Sequence, residues 1–112
     1  MPAMPAMPAT LRLLPNYLGR ALVLGNSTGV AAWLDDGKWQ VDRTWDADSG
    51  VEVRDITLLM YASGLGHATL VDLLLERGAS VNLQDSNGWS ALMLAAYEGH
   101  RAIVRRLLSA SE

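Results

Sequence analysis

The stretch TLLMYA at residues 57–62 returns as SALMLA at residues 90–95, and this spacing of 33 residues (90 − 57) organises the rest of the chain. Further pairs keep the same offset: Gly-His at 66–67 and 99–100, Val at 71 and 104, and Leu-Leu at 74–75 and 107–108. Chance does not place so many pairs in one register. A period of this length indicates a small group of secondary-structure elements that is repeated and stacked on its neighbours.

The order of residues within each unit resembles the ankyrin repeat. A short hydroxyl residue, apolar positions and alanine come first, followed by Gly-His, an apolar stripe ending in Leu-Leu, and GASVN at 78–82. The pattern of that family reads T-P-L-H-x-A-A, G-H, I-V-x-x-L-L and G-A-D-V-N. The match spans residues 55–108, but LLM at 58–60 and ALM at 91–93 stand where the family has Pro-Leu-His. The resemblance implies an all-α ankyrin-repeat solenoid of stacked helix-turn-helix units with β-hairpin fingers.

A first, degenerate repeat precedes the two clear ones. A shift of 41 residues places Ala21 on Ala62 and Val30 on Val71, so that eight extra residues (41 − 33) lengthen the connection after this repeat. The expected organisation is a Met-Pro-Ala tail without fixed structure (1–10), a degenerate repeat with a long finger (11–54), a full repeat (55–87) and a truncated repeat (88–112).

Helix boundaries follow from the apolar spacing and from capping residues. Thr57 and Ser90 precede apolar runs and suit helix N-caps, and Ser27 or Thr28 is expected to cap the second helix. Gly78 suits the left-handed end of a helix. The expected helices are Asn16–Leu24, Thr28–Asp35, Leu58–Gly64, Ala68–Glu76, Ala91–Glu98 and Ala102–Leu108.

Two fingers are expected between the repeats. The segment from Val41 to Ile56 alternates apolar and polar residues on both sides of DADSG at 46–50, which predicts a hairpin with a tight turn. DSNG at 85–88 is a second turn signature, and it predicts a shorter finger between the second and third repeats.

The core is predicted from helical spacing. Apolar residues at helical spacing form one buried face on each second helix of the clear repeats: i, i+1, i+3 and i+4 at 70–74, and i, i+1, i+4 and i+5 at 103–108. Small alanines let neighbouring helices approach, and two tryptophans are expected to fill the core and loop of the first repeat. The predicted core residues are Leu70, Val71, Leu73, Leu74, Ile103, Val104, Leu107, Leu108, Ala62, Ala95, Ala96, Trp33 and Trp39.

Composition narrows the classes of partner. A net charge of −3 provides no basic face for nucleic acid. No apolar run approaches the roughly 20 residues that span a bilayer, so no membrane partner is expected. The absence of cysteine excludes disulfides and thiolate sites and suits a reducing, cytoplasmic setting. Residues 1–34 carry Arg12 and Arg20 but no acid, which leaves a targeting segment as an alternative.

The sequence contains no recognisable catalytic constellation. His67 and His100 occupy the same slot one repeat apart and have no paired carboxylate at ligand spacing. The resemblance implies that they brace the loop between two helices by hydrogen bonding. DADSG at 46–50 fails the calcium-loop pattern, because its glycine is fifth instead of sixth. We therefore expect no enzyme activity, cofactor or metal.

The resemblance implies a protein–protein interaction module that binds a protein partner through finger tips and the concave side of its first helices. Carried over position by position, those slots are Val53, Arg54, Ile56, Gly64, Leu65, Ser86, Asn87, Trp89, Tyr97 and Glu98. Trp89 and Tyr97 stand out, because aromatic side chains beside a polar rim often anchor interfaces. Packing within the fold is the alternative interpretation of both rings. Trp45 on the long finger is a third candidate anchor.

An assembly role is the alternative function. The third repeat lacks the Gly-Ala-x-Val-Asn exit, whereas terminal repeats usually present a polar outer face. Ile103, Leu107 and Leu108 on the last helix are therefore candidates for self-association, or for stacking on another domain. The identity of the partner is not specified by the sequence.

Overall fold

The structure, a computed structural model, describes residues 16–35, 41–48 and 52–110. Within these ranges the chain forms six helices and one two-stranded hairpin. In chain order they are α1 (Asn16–Leu24), α2 (Ser27–Asp35), β1 (Trp45–Asp48), β2 (Glu52–Ile56), α3 (Leu58–Leu65), α4 (Ala68–Glu76), α5 (Ala91–Tyr97) and α6 (Arg101–Ala110). The Met-Pro-Ala tail and Trp39 lie outside the described residues.

The helices form two layers of stacked pairs. α1, α3 and α5 contact one another in chain order and make the inner layer, and α2, α4 and α6 do the same in the outer layer. Each inner helix also contacts the outer helix that follows it. Helices of seven to ten residues are too short to be stable alone in water, so stacking stabilises them. The expected all-α solenoid with a hairpin finger is confirmed.

The helix caps are mostly the predicted ones. The hydroxyl of Thr57 accepts from the Met60 N–H at 3.2 Å, and the hydroxyl of Ser90 accepts from the Met93 N–H at 3.2 Å. The Met60 sulfur in turn accepts from the Thr57 N–H at 3.4 Å, so it occupies the slot where the family has histidine and completes the cap.

One predicted cap is wrong. Asn26, instead of Ser27 or Thr28, caps α2, since its side-chain oxygen accepts from the Gly29 N–H at 3.1 Å. The helix therefore begins at Ser27, one residue before its predicted start. The physical reason is that Asn26, just outside the helix, can reach the free N–H groups of the first turn.

The long finger is a real hairpin, but its first strand is shorter than predicted. β1 begins at Trp45 instead of Val41, because Asp42 is used elsewhere: its carboxylate accepts from the N–H and the hydroxyl of Ser80, each at 2.8 Å. Strands β1 and β2 pair antiparallel with an irregularity between Trp45 and Ala47. There Asp55 adopts the left-handed conformation, with φ of 63°, as a residue in a bulge can.

The apolar core runs through all three helix pairs. Its buried members come from every described helix and from the hairpin: Leu18, Ala21, Leu22, Val30, Trp33, Leu34, Trp45, Ile56, Leu58, Leu59, Met60, Ala62, Leu70, Val71, Leu74, Ala91, Ala95, Ile103 and Leu107. Leu73 and Val104 pack against this core and are partly buried. Ala96, predicted in the core, is exposed instead, because it lies on the side of α5 where no described helix packs.

Trp45 is not an interface anchor. Only 2% of its surface is exposed, since its ring lies 5.7 Å from that of Trp33 and the Arg43 guanidinium lies 4.8 Å from its centroid. The hairpin thus packs on the first helix pair. Trp33 fills the core of that pair, as predicted.

The residues predicted for self-association are also mostly unavailable. Ile103 and Leu107 are each 1% exposed, because they face the core between α6 and the neighbouring helices. Leu108 was also predicted in the core, but it is 48% exposed, because it lies on the side of α6 where no described helix packs.

The two histidines join successive helix pairs. Nε2 of His67 donates to the backbone oxygen of Val23 in α1 at 2.8 Å, and Nε2 of His100 donates to that of Gly64 in α3 at 3.2 Å. The braced backbone therefore belongs to the preceding pair, near the loop that follows its inner helix. A structural role thus accounts for both rings.

Candidate partner-binding groove

A groove runs along the inner layer between the second and third helix pairs. We call it the inner groove; its volume is about 560 Å³. It is lined by Ile56, Met60, Tyr61, Gly64, Leu65, Asp85, Asn87, Trp89, Leu94, Tyr97 and Glu98. The lining residues come from α3, from α5, from the end of β2 and from the short finger.

Hydrogen bonds within the short finger hold the backbone at Trp89 in place. The Asp85 carboxylate accepts from the backbone N–H groups of Asn87 at 2.8 Å and Trp89 at 3.0 Å. Gly88 supplies the left-handed turn position, with φ of 83°. A side chain that binds its own turn in this way orders the backbone of the turn, so the backbone position from which the Trp89 side chain projects is set before any partner arrives.

The two fingers are bonded to each other. The Arg54 N–H donates to the Ser86 hydroxyl at 2.8 Å, and the Ser86 N–H donates to the backbone oxygen of Arg54 at 2.8 Å. This pair of bonds fixes the spacing of the finger tips. It gives Ser86 and the Arg54 backbone a positioning role at the edge of the groove.

Trp89 and Tyr97 form an aromatic pair on the third repeat. Their ring centroids are 5.5 Å apart and the planes meet at 85°, an edge-to-face arrangement. Trp89 is 36% exposed and Tyr97 is 75% exposed. Leu65, at the end of α3, lines the same groove and is 43% exposed. Packing within the fold thus covers these rings only in part.

The predicted site residues fall into three groups. Ile56, Gly64, Leu65, Asn87, Trp89, Tyr97 and Glu98 line the inner groove. Arg54 and Ser86 join the fingers beside it, and the side chain of Val53 lies outside the described part of the chain. Ile56 was expected on an exposed surface but is 8% exposed, because it pairs with Trp45 across the hairpin and packs into the core.

Sequence reasoning missed Met60, Tyr61, Asp85 and Leu94. Helical spacing contains the signal for two of them. Tyr61 precedes Leu65 by four residues and Leu94 precedes Glu98 by four, so each shares a helix face with a predicted residue. Asp85 was assigned to the turn only, and Met60 lies under the groove as a capping residue, 1% exposed.

The groove is apolar with a negative rim. Its two charged lining residues are Asp85 and Glu98. Burial raises the pKa of Tyr61, and the neighbouring negative charge of Asp46 raises it further. The Tyr61 hydroxyl therefore stays protonated and neutral at physiological pH. This environment suits recognition through apolar contact, ring faces and two carboxylates.

Within the described ranges, no group of three or more acidic or histidine side chains is placed to hold a metal ion. In the same part of the chain, none of the helices has the length and apolar character needed to cross a membrane.

Comparison with known proteins identifies the family of the repeat. Residues 21–112 match the family model described as "Ankyrin repeats (3 copies)". The chain is 50% identical over 54 residues to Ankyrin repeat and SAM domain-containing protein 6 of Mus musculus. This matched segment is 47% of this chain and 6% of that protein. It is 46% identical over 44 residues to the Notch-regulated ankyrin repeat-containing protein of Homo sapiens, which covers 39% of each. The chain thus spans a minor part of the length of these relatives.

A solved structure shares the fold. It is a chain from the complex of the Bd0816 predatory endopeptidase of Bdellovibrio bacteriovorus with immunity protein Bd3460. The two chains superpose with a TM-score of 0.70 at 22% identity, over 86% of this chain and 46% of that one. At this identity the likeness shows the fold alone.

Proposed function

Because the chain belongs to the ankyrin-repeat family, whose repeats are protein–protein interaction modules, we propose that its inner groove is the surface that binds a protein partner. The observation that carries the proposal is the exposed Trp89–Tyr97 pair in an apolar groove. Aromatic side chains in a partly enclosed pocket are frequent hot spots of protein interfaces.

The groove is also built to keep its shape. Trp89 is held by the Asp85 turn, the fingers are tied through Ser86, and Leu65 and Tyr97 stand on the last turns of α3 and α5. A preorganised surface loses little conformational entropy when it binds, so more of the contact energy appears as affinity.

We assign the groove to recognition and not to catalysis. Its lining is mainly apolar, and the Tyr61 hydroxyl keeps its proton at physiological pH. Ankyrin repeats are generally non-catalytic, which agrees with this assignment. The cysteine-free composition favours a reducing compartment such as the cytoplasm as the place of action.

Site-directed photocrosslinking in lysate from the native cell tests the function. A photoreactive residue replaces Tyr97 in one variant and Leu83, which is 38% exposed and outside the groove lining, in a matched control. We expect a specific crosslinked partner from position 97, and loss of that product when Trp89→Ala is added. Circular dichroism must show the same helix content for all variants.

Equal crosslinking from positions 97 and 83, or crosslinking at 97 that Trp89→Ala leaves unchanged, would contradict the groove as the binding surface. Unfolding by Trp89→Ala would assign the ring to the core. In that case Tyr97→Ala, which removes the more exposed ring, is the test: loss of the crosslinked product with an intact fold supports the groove, and an unchanged product contradicts it.

A second candidate function is assembly through the face of the third helix pair that points away from the second pair. This end face consists of Met93, Ala96 and Leu108. It is more exposed than its counterparts one repeat earlier: Met93 is 47% exposed and Met60 1%, and Ala96 is exposed where Ser63 is fully buried. The left-handed Gly99 has nothing within 4 Å of its Cβ position, whereas Gly25 and Gly66 each meet a histidine ring there.

The end face therefore resembles the faces on which helix pairs stack inside this molecule, and we propose self-association through it as the alternative. Light scattering after size exclusion should then show a dimer that Met93→Glu converts to a monomer. A monomer for the unchanged chain at high concentration contradicts self-association.

A further inference from the structure

The charges of the inner groove are of one sign, and this indicates the chemistry of the partner. The inference rests on the proposed function and refines it. Of the lining residues, only Asp85 and Glu98 bear formal charge at neutral pH, and both are negative. None of the described residues that line the groove is basic, and Arg54 on the neighbouring finger lies outside this lining.

The two carboxylates share the groove with the exposed rings. The Asp85 carboxylate accepts from the backbone N–H of Trp89 at 3.0 Å, and Glu98 follows Tyr97 at the end of α5 and lines the groove with it. The faces of aromatic rings carry partial negative charge and attract guanidinium and ammonium groups. Rings and carboxylates therefore both favour a cationic ligand group and disfavour an acidic one.

A cation alone does not account for the groove. Leu65 and Leu94 line the same cavity of about 560 Å³, and their accessible apolar surface is best covered by apolar side chains. The complementary ligand is a peptide segment that combines both properties. A long basic side chain does this well, because its methylene stem covers apolar surface while its charged end reaches the rim.

We propose that the groove binds a segment of a partner protein that presents arginine or lysine to Trp89, Tyr97 and Glu98. Apolar side chains of the same segment cover Leu65 and Leu94. The basic residue supplies specificity and the apolar residues supply most of the buried area.

Peptide selection tests this inference. Short random peptides are selected on the immobilised full chain, and the enriched peptides are compared with the starting library. We expect enrichment of arginine or lysine next to apolar residues. We also expect the Kd of an enriched peptide to rise about fivefold with Glu98→Gln and about tenfold with Trp89→Leu.

The matched control is Glu76→Gln, which removes one negative charge from the exposed end of α4 and lies outside the groove. It should leave the Kd unchanged. Replacing the basic residue of the peptide by glutamine should weaken binding to the unaltered chain, and should cost much less affinity against Glu98→Gln, because the two changes remove the same interaction.

Three results overturn the inference. Peptides that lose affinity with Trp89→Leu but are neutral or acidic would leave the groove as the binding site and refute its preference for a cation. Equal changes in peptide Kd with Glu98→Gln and with Glu76→Gln would also refute the preference for a cation. If no selected peptide responds to Trp89→Leu, the proposed function of the groove fails as well.

Discussion

Single glycines allow the helix pairs of this protein to come close together. Gly25 and Gly66 end the inner helices of the first two pairs in the left-handed conformation, with φ of 67° and 87°. A Cβ at Gly25 would lie 2.7 Å from the His67 ring, and one at Gly66 would lie 2.6 Å from the His100 ring. Both the backbone conformation and the contact with the next repeat therefore require glycine.

Gly66→Ala should destabilise the protein through both causes. Alanine in the left-handed conformation costs about 1 kcal/mol. Displacement of His100 from the Gly64 oxygen adds about 1–2 kcal/mol, so the free energy of unfolding should fall by about 2–3 kcal/mol in urea titrations.

Gly78→Ala is the matched control. Gly78 has the same φ of 87° but nothing within 4 Å of its Cβ position, so the loss should be about 1 kcal/mol. If the two variants lose equal stability, contact with His100 is not a cause.

At the scale of elements, α3 and α5 show how neighbours decide burial. They carry related sequences 33 residues apart, but α3 packs between α1 and α5, whereas α5 has a described inner neighbour on one side only. Equivalent positions therefore differ in exposure, as Met60 and Met93 show. The double burial of α3 has one unfavourable consequence: the Ser63 hydroxyl is buried and has no hydrogen-bond partner among the described residues.

Ser63→Ala should stabilise the protein. The change removes an unsatisfied buried hydroxyl and introduces a better helix former, so the free energy of unfolding should rise by about 1 kcal/mol. Alanine already occupies the equivalent position, Ala96, in α5. Urea titration followed by circular dichroism measures the change.

Ser90→Ala provides the contrasting variant on α5. Its hydroxyl caps the helix through the Met93 N–H, and its loss should lower the free energy of unfolding by about 1 kcal/mol. A loss of stability with Ser63→Ala would mean that the Ser63 hydroxyl makes a bond that favours the folded state.

At the scale of the whole molecule, ion pairs join successive outer helices. Arg77 at the end of α4 bonds Asp35 at the end of α2 through two pairs of atoms, one of them Nη2 to Oδ2 at 3.2 Å. Arg106 in α6 bonds Asp72 in α4 through Nε at 2.8 Å. His67 and His100, which directly precede α4 and α6, join the same successive pairs by binding the inner helix of the preceding pair. Each interface between pairs thus has a polar bond on both layers around its apolar centre.

The Asp35–Arg77 pair predicts a pH dependence. The hydrogen bond from Arg77 lowers the pKa of Asp35 below its ordinary value of 3.8. A lowered folded pKa means that the carboxylate stabilises the fold fully above about pH 4. That contribution is lost as the pH falls through the lower folded pKa.

The measurement compares urea midpoints of the unaltered chain and Asp35→Asn over this range. The difference should be largest at neutral pH, shrink below pH 4, and shrink in high salt, because both groups are exposed. A difference that stays constant as the pH falls would exclude the ionised pair as its cause.

The repeat, the helices and most of the helix caps can be predicted from the sequence alone. The bounds of α1 and α4 agree with the prediction at both ends, and Thr57 and Ser90 cap the predicted helices. These features depend on residues three or four positions apart, and short-range spacing is visible in a sequence. The 33-residue period adds the stacking, because each unit has an apolar face that only a neighbour can cover.

Which residues face outward and which line the groove depends on contacts between distant parts of the chain. Trp45 is buried under Trp33, Ile103 and Leu107 face the core, and Asp42 shortens β1 by binding Ser80, 38 residues away. Such contacts depend on how the pairs and the finger pack, and residue type does not encode them. The negative, aromatic groove likewise exists only once Asp85, Trp89 and Glu98 are brought beside α3 by stacking.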